Sequence, residues 1–149
     1  LLEEARVLNQ RLAAALDFIR PRRNGVLVAL KRDGRPQLSN ITYTLGDDGV
    51  VRISITADRA KYTNLLRDPR ASLYVGKEDF WGYVVIDAQA ELTAVAADAD
   101  DATVDELVSV YRGAVGEHPD WDEYRAAMVA DRRVVVRLHP VHAYGMGAG

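Results

Sequence analysis

Residues 37–56 read QLSNITYTLGDDGVVRISIT, and this stretch decides the fold. It predicts two strands, at 37–45 and 50–56, joined by the turn GDDG at 46–49, because Gly and Asp favour hairpin turns. Side chains alternate along the second of these strands, so that one face is apolar and the other is polar. The apolar face carries Val51, Ile53 and Ile55, and the polar face carries Arg52, Ser54 and Thr56.

Further strands are predicted on both sides of this hairpin. A compact run at 25–30 precedes it, with Asp33-Gly34 as a turn signal, and runs at 71–75 and 83–93 follow it. A closing strand is predicted around Val134, Val136 and Leu138. The buried face of the strand at 83–93 is expected to carry Val84, Ile86, Ala88, Ala90 and Leu92. Hairpin-connected strands with separate helices are typical of an α+β fold built on an antiparallel sheet or small barrel.

Four helices complete the predicted elements. The first carries an apolar stripe at helical spacing and ends before Pro21; its members are Leu1, Ala5, Leu8, Leu12, Leu16 and Ile19. Asp58 is expected to cap a short helix that runs to Leu66, since Asp is a favoured N-cap residue. Two later helices are predicted at 104–115 and 121–130.

Composition excludes several classes of protein. A length of 149 residues predicts one domain covering 1–149, and a net charge of −3 argues against a general nucleic-acid binder. The absence of Cys excludes disulfides, thiolate metal sites and Cys nucleophiles. Apolar runs fall short of the roughly 20 residues of a membrane span, and Glu3 and Glu4 stand where a signal peptide would be positive. We therefore expect a cytoplasmic protein with no membrane partner.

The sequence also lacks the usual catalytic and metal-binding motifs. His139 and His142 are separated by Pro140 and have no acidic neighbour in sequence, so they are expected to be solvated surface residues and not metal ligands. Gly145, Gly147 and Gly149 have no helix after them and indicate a flexible tail. No catalytic residue can be assigned. Any redox chemistry must come from a bound cofactor.

One segment, residues 54–65, combines hydroxyl groups, cations and a helix start. Arg59 and Lys61 beside the free N–H groups of a helix N-terminus make a sound anion site, and Ser54 and Thr56 are within reach of the same ligand. A capped helix with a solvated basic turn explains the spacing equally well.

Two further clusters are candidates for contacts with a ring system. The amide and hydroxyl groups of Gln37, Ser39 and Asn40 suit a planar heterocycle, or are the polar residues of an edge strand. The aromatic residues around Gly82, namely Phe80, Trp81 and Tyr83, suit a ring-binding wall or a corner of the core.

The order of these motifs resembles a known superfamily. GRPQLSN at 34–40, ISIT at 53–56, RAKYTNL at 59–65 and DPRASL at 68–73 are similar to the pyridoxamine-phosphate-oxidase-like split β-barrel proteins. The closest likeness is to their actinobacterial branch that uses the deazaflavin coenzyme F420, and it runs over nearly the whole chain. It implies a homodimer with cofactor sites at the interface. It also implies that Arg59, Lys61 and Asn64 grip the coenzyme's phosphate, that Gln37, Ser39, Asn40, Ser54 and Thr56 line the path to the ring, and that Trp81 and Tyr83 form the pocket wall.

The function that the resemblance implies is hydride transfer from reduced F420 to a small unsaturated acceptor, such as an activated C=C bond, a quinone or a tetrapyrrole. Two alternatives stay open. One is an FMN-dependent oxidoreductase on the same barrel, although the Arg-x-Val-Leu-Leu-Lys signature of the vitamin oxidases is absent from the sequence. The other is a non-catalytic protein that binds a flavin, haem or another tetrapyrrole.

Overall fold

The computed structural model describes residues 1–147 and contains six strands and four helices. In chain order the elements are α1 (Leu2–Ile19), β1 (Asn24–Leu30), β2 (Pro36–Leu45), β3 (Val51–Thr56), α2 (Ala60–Arg67), β4 (Arg70–Gly76), β5 (Tyr83–Leu92), α3 (Ala102–Ala114), α4 (Trp121–Ala130) and β6 (Arg133–Met146). Within the described residues, no helix has the length and hydropathy needed to cross a bilayer.

The six strands form a closed antiparallel barrel in the order β1-β2-β3-β6-β5-β4. The last strand of the chain, β6, therefore lies between β3 and β5 and pairs with both. The flanking helices lie outside this barrel, and the predicted α+β split-barrel fold is confirmed.

Alternation along the strands fills the barrel interior. Val51, Ile53 and Ile55 are buried as predicted, and the aliphatic side chains of the neighbouring strands complete the same cluster. Tyr43 is the largest fully buried side chain, and its hydroxyl donates a hydrogen bond of 2.7 Å to the carbonyl of Ile19. This bond ties the end of α1 to the barrel core.

The predicted apolar stripe of α1 is wrong over the first half of the helix. Leu1 is fully exposed and Leu8 is about half exposed, at 100% and 47%. The buried residues are Ala15, Phe18 and Ile19, because α1 packs on the barrel with its C-terminal half only.

The closing strand is longer than predicted. β6 runs from Arg133 to Met146, so the expected flexible tail is wrong at Gly145, which pairs with Val84. A side chain at Gly145 would place a Cβ 2.2 Å from the carbonyl oxygen of Tyr83, and this close approach requires Gly. Gly149 lies outside the described residues.

Helices α3 and α4 form a second apolar cluster on the outer side of the barrel. Leu107, Tyr124 and Met128 pack there with Val135 of β6. The predicted bounds of α4 are confirmed, and Asp120 caps this helix by accepting a hydrogen bond from the backbone N–H of Glu123.

Two joins in the barrel are short, and in one of them β1 and β4 pair only over 26–28 and 72–74. In the described chain β2 and β3 pair only over 43–45 and 51–53, so residues 36–42 of β2 and 54–56 of β3 diverge. We call this gap the seam. Helix α2 lies at its open end, where Leu65 packs into the barrel core and Arg67 donates a hydrogen bond to the carbonyl of Leu30.

Candidate functional site

A pocket of about 420 Å³ opens at the seam, a volume suited to part of a small-molecule ligand. Two cations, Lys61 of α2 and Arg133 of β6, line it together with the hydroxyl of Ser54 and the amide of Asn40. We call it the cation pocket. Its remaining lining residues are Ile41, Thr42, Val110, Tyr111, Ala114, Val115, Tyr124 and Met128.

Arg133 is held against β3. Its Nη1 lies 3.5 Å from the carbonyl oxygen of Ser54 and 3.4 Å from the Ser54 hydroxyl, and both are acceptors of long hydrogen bonds. Its Nε is buried without a hydrogen-bond partner among the described residues. Buried donors are normally satisfied, so the unpaired Nε and the long bonds of Nη1 show that the hydrogen-bonding needs of this guanidinium are poorly met within the described chain.

The charges at Lys61 also favour an anion. Burial lowers the pKa of the Lys61 ammonium, and the nearby cations Arg59 and Arg133 lower it further. No acidic side chain is among the described residues that line the pocket. A bound anion would relieve the repulsion between these cations.

The nearest acidic side chain has another role. Asp58 was predicted to cap α2, but the cap position is Arg59 and no side chain makes a capping hydrogen bond there. Asp58 accepts a hydrogen bond from the Thr56 hydroxyl, and this bond lowers the pKa of its carboxyl. The prediction of an Asp58 cap is wrong, because Asp58 turns back to β3.

The polar residues of β2 divide between two faces. Gln37 and Ser39 share the face of the buried Tyr43, whereas Asn40 lies on the opposite face and lines the cation pocket. Gln37 accepts a hydrogen bond of 3.3 Å from the buried Asn64. The Ser39 hydroxyl is buried and has no partner among the described residues.

Asn64 therefore links α2 to β2 and is not among the residues that line the pocket. Its side-chain oxygen Oδ1 accepts a hydrogen bond of 2.9 Å from Nη2 of Arg67. This position fits a residue that fixes α2 beside the seam, so that Lys61 faces the pocket.

A second cavity shares part of its lining on β2 with the first. This outer groove has a volume of about 530 Å³ and shares residues 40–42 with the cation pocket. Asn24, Tyr74 and Gly76 line its far part. Tyr83 is adjacent, because its ring stacks on Tyr74 with centroids 5.5 Å apart.

Trp81 lies in neither cavity. It stands in the turn between β4 and β5 with 84% of its surface exposed. The structure thus brings Asn40, Ser54 and Lys61 together. It places Tyr83 against Tyr74 of the outer groove and leaves Trp81 outside both cavities.

Sequence reasoning missed Arg133, Tyr111 and Tyr124. Arg133 is 79 residues from Ser54, so only the barrel closure brings them together. The two tyrosines have the spacing of core residues on helices. Tyr124 is indeed anchored, because its hydroxyl donates to the carbonyl of Leu107 and burial raises its pKa to about 12.

The histidines have carboxylate neighbours that the sequence did not indicate. His139 lies 2.8 Å from Glu91 and His142 lies 3.5 Å from Asp87, across the β5–β6 ladder. Among residues 1–147 no group of three or more potential metal ligands is found.

Comparison with known proteins identifies the family. The family model for pyridoxamine 5'-phosphate oxidase matches residues 12–147. The chain belongs to the pyridoxamine 5'-phosphate oxidase family. The superfamily resemblance stated from the sequence motifs is thereby confirmed.

Three solved structures illustrate the range of this fold. A conserved hypothetical protein of Mycobacterium tuberculosis is 24% identical with a TM-score of 0.69, over 89% of this chain and 82% of that one. An F420 reductase is 25% identical with a TM-score of 0.58, over 85% and 92%. The haem storage protein of Vibrio cholerae is 16% identical with a TM-score of 0.64, over 86% and 89%, and shows a likeness of fold alone.

The family match and the F420 reductase support a place in the superfamily of flavin- and deazaflavin-type oxidoreductases.

Proposed function

We propose that this protein is an F420-dependent reductase that transfers a hydride to a small unsaturated organic acceptor. The observation that carries the proposal is the cation pocket, where Lys61 and Arg133 face a cavity without acidic lining residues in the described chain. The similarity to an F420 reductase over 85% of the chain supports the deazaflavin rather than another anionic ligand.

The residues present fit the phosphate of this coenzyme. The guanidinium of Arg133 and the ammonium of Lys61 line the pocket as cationic donors, and charge-assisted hydrogen bonds to an anion are the strong ones. The Ser54 hydroxyl adds a neutral donor. α2 has no side-chain cap, and of its first-turn N–H groups that of Tyr62 donates to the carbonyl of Arg59, so those of Ala60 and Lys61 are the ones that we propose for an anion.

The ring system would extend from the phosphate along the outer groove. The cation pocket alone is small for a whole coenzyme, and the groove that shares residues 40–42 with it adds a further volume of about 530 Å³. The amides of Asn40 and Asn24 are hydrogen-bonding groups along this path, and Tyr74, stacked on Tyr83, is an aromatic side chain at its far part.

Bound in its reduced form, F420 supplies a hydride to an activated C=C bond, a quinone or a tetrapyrrole. The chain's own residues bind the anionic part, hold the coenzyme against β2 and limit the access of water. This division of roles agrees with the lack of a carboxylate or histidine among the described residues that line the two cavities.

We further propose that the protein acts as a homodimer. Several large apolar side chains are exposed on the outer side of the barrel, among them Leu38, Val141, Tyr144 and Met146. Apolar surface of this kind is suited to a second copy of the chain. Light scattering after gel filtration should give twice the monomer mass of 16.5 kDa, and a monomer at micromolar concentration would contradict the dimer.

Titration with three ligands tests the cofactor. We expect F420 to bind more tightly than FMN, and FMN more tightly than riboflavin, which has the same ring as FMN but no phosphate. Equal affinities for FMN and riboflavin would contradict the anion site, and a preference for FMN over F420 would favour an FMN-dependent enzyme.

Turnover is tested separately, by following oxidation of reduced F420 with a panel of enones, quinones and biliverdin. Tight binding of F420 without turnover of any of these would indicate a carrier protein and would contradict the reductase.

A further inference from the structure

Lys61 differs in its chemistry from most basic residues of the chain. Of the nineteen Lys and Arg residues only three are Lys, at positions 31, 61 and 77, and of these three only Lys61 lines the cation pocket. A lysine ammonium can lose its proton inside a protein, and the neutral amine is then a nucleophile, whereas a guanidinium stays protonated. Lys61 is therefore the basic group of this pocket that can carry out covalent chemistry.

The surroundings of Lys61 favour the neutral amine. Its side chain is half-buried, and the charged groups that act on it in the described chain are the cations Arg59 and Arg133. Burial and then these two cations lower the pKa of its ammonium, and no carboxylate opposes them. Desolvation and a neighbouring cation are the two ways in which proteins activate a lysine as a nucleophile.

Arg133 supplies a positive charge that does not depend on Lys61. Its guanidinium stays protonated at any pH at which the protein is folded. Its Nη1 makes only long hydrogen bonds, of 3.5 and 3.4 Å, to the carbonyl and hydroxyl oxygens of Ser54, and both residues line the pocket. An anionic group would therefore be attracted to Arg133 even when the Lys61 amine is neutral.

Much of the remaining pocket lining is apolar or aromatic. It comes from α3 and α4 and includes Val110, Tyr111, Ala114, Tyr124 and Met128. The ring of Tyr111 is held in place, because its centroid lies 5.0 Å from that of Tyr124 and 5.7 Å from that of Trp121. Such a surface suits a flat apolar body. The pocket thus combines a cation, a nucleophilic amine and a wall for a ring within about 420 Å³.

We propose that Lys61 is a reactive amine that forms an imine with small aromatic aldehydes that carry an anionic group. Arg133 binds the anionic group, the apolar lining contacts the ring, and the Lys61 amine attacks the carbonyl carbon. The carbinolamine that results loses water, which takes the carbonyl oxygen and both protons of the amine and leaves a C=N bond. The step needs no oxidant or reductant, and it does not rest on the proposed coenzyme.

Labelling with 4-formylbenzoate and with its methyl ester tests this site. The two aldehydes share one ring, but only the first is charged, and the ester is the more electrophilic of the two. Cyanoborohydride reduces each imine to a stable amine, and peptide mapping then gives the labelling rate at each lysine of one sample. Lys31 is the internal control, because it is exposed and has the cationic neighbours Arg32 and Arg35 but lies outside the pocket.

The measured quantity is the ratio of the labelling rate with the carboxylate to that with the ester. We expect this ratio to be at least about tenfold higher at Lys61 than at Lys31, which is the lower end of what one hydrogen bond to a charged group provides. Lys61→Arg keeps the positive charge but removes the amine, so labelling at this position should be lost while that of Lys31 is unchanged.

Two further measurements test the role of Arg133. Arg133→Gln removes the contact with the anionic group, so the ratio at Lys61 should fall to that at Lys31. Inorganic phosphate, added to the unmodified protein at constant ionic strength, gives a test without a substitution. It should compete for Arg133 and slow the labelling of Lys61 by 4-formylbenzoate, with no change at Lys31.

Equal ratios at Lys61 and Lys31 would overturn the imine site, and so would labelling of Lys61 that inorganic phosphate does not slow. Because F420 is proposed to occupy the same pocket, it should also protect Lys61. Labelling of Lys61 that continues unchanged with F420 bound would refute the phosphate assignment of the proposed function and leave the imine site standing.

Discussion

Replacing Lys61 by Gln is expected to change ligand affinity and stability in opposite directions. The substitution removes one charge from the cation pocket and retains a polar side chain of similar length. A hydrogen bond to a charged group contributes about 1.5–3 kcal/mol, which corresponds to about 10- to 150-fold in the dissociation constant. We therefore expect F420 to bind Lys61→Gln weaker by that factor.

The free protein should respond differently. Burial and the neighbouring cations Arg59 and Arg133 lower the pKa of Lys61, so the folded state disfavours its charged form relative to the unfolded chain. By linkage, this group opposes folding at neutral pH, and the opposition weakens as pH rises toward its ordinary value of 10.5. Lys61→Gln should therefore melt at the same or a slightly higher temperature than the unmodified protein.

The assay combines coenzyme titration with thermal melting at two salt concentrations. Lys31→Gln serves as control, because Lys31 is exposed and lies between β1 and β2, outside both cavities. A bound anion favours the charged ammonium, so F420 affinity should fall as pH rises through the lowered pKa of Lys61. If Lys61→Gln bound F420 as tightly as Lys31→Gln does, the assignment of the phosphate to this pocket would be refuted.

Three further predictions concern the scaffold. Tyr43→Phe removes one of the two hydrogen bonds that the Ile19 carbonyl accepts, the other coming from the backbone N–H of Arg22, and should lower the free energy of unfolding by about 0.5–1.5 kcal/mol in urea titrations; an unchanged midpoint would contradict the role of this bond. Hydrogen bonds from Arg137, and then from Arg52, lower the pKa of the Glu106 carboxyl, so its contribution to stability is present at neutral pH and lost as pH falls below 4.5. Glu106→Gln should therefore lower the urea midpoint at neutral pH and flatten its acid dependence. Gly145→Ala would place a methyl group 2.2 Å from a backbone oxygen of β5 and should lower the melting temperature, and an unaltered melt would show that the strands separate there freely.

Local signals in the sequence are sufficient to predict much of the barrel. The alternation of Val51, Ile53 and Ile55 predicted the buried face of β3, because a strand's two faces are set by neighbouring residues alone. The bounds of α4 were predicted from its pattern, and Asp120 supplies the cap that fixes its start.

The features that the sequence did not predict depend on contacts between distant parts of the chain. Gly145 looked like part of a tail, because nothing near it in sequence reveals that β5 pairs with it. The apolar residues in the first turns of α1 have helical spacing, but the barrel has no surface there for them to pack on. Leu1 and Leu8 are therefore exposed. The same limit applies to the site, since Arg133 reaches Ser54 only when β6 closes the barrel.

The strands that border the seam should open locally more readily than the β5–β6 ladder does. Residues 36–42 and 54–56 have one strand neighbour each, so their amides should exchange with solvent through small fluctuations rather than through global unfolding. A ligand held by Lys61, Ser54 and Asn40 would bridge these diverging strands. Ligand binding would then slow amide hydrogen exchange most at the seam. The exchange rates of the paired strands β5 and β6 would change little.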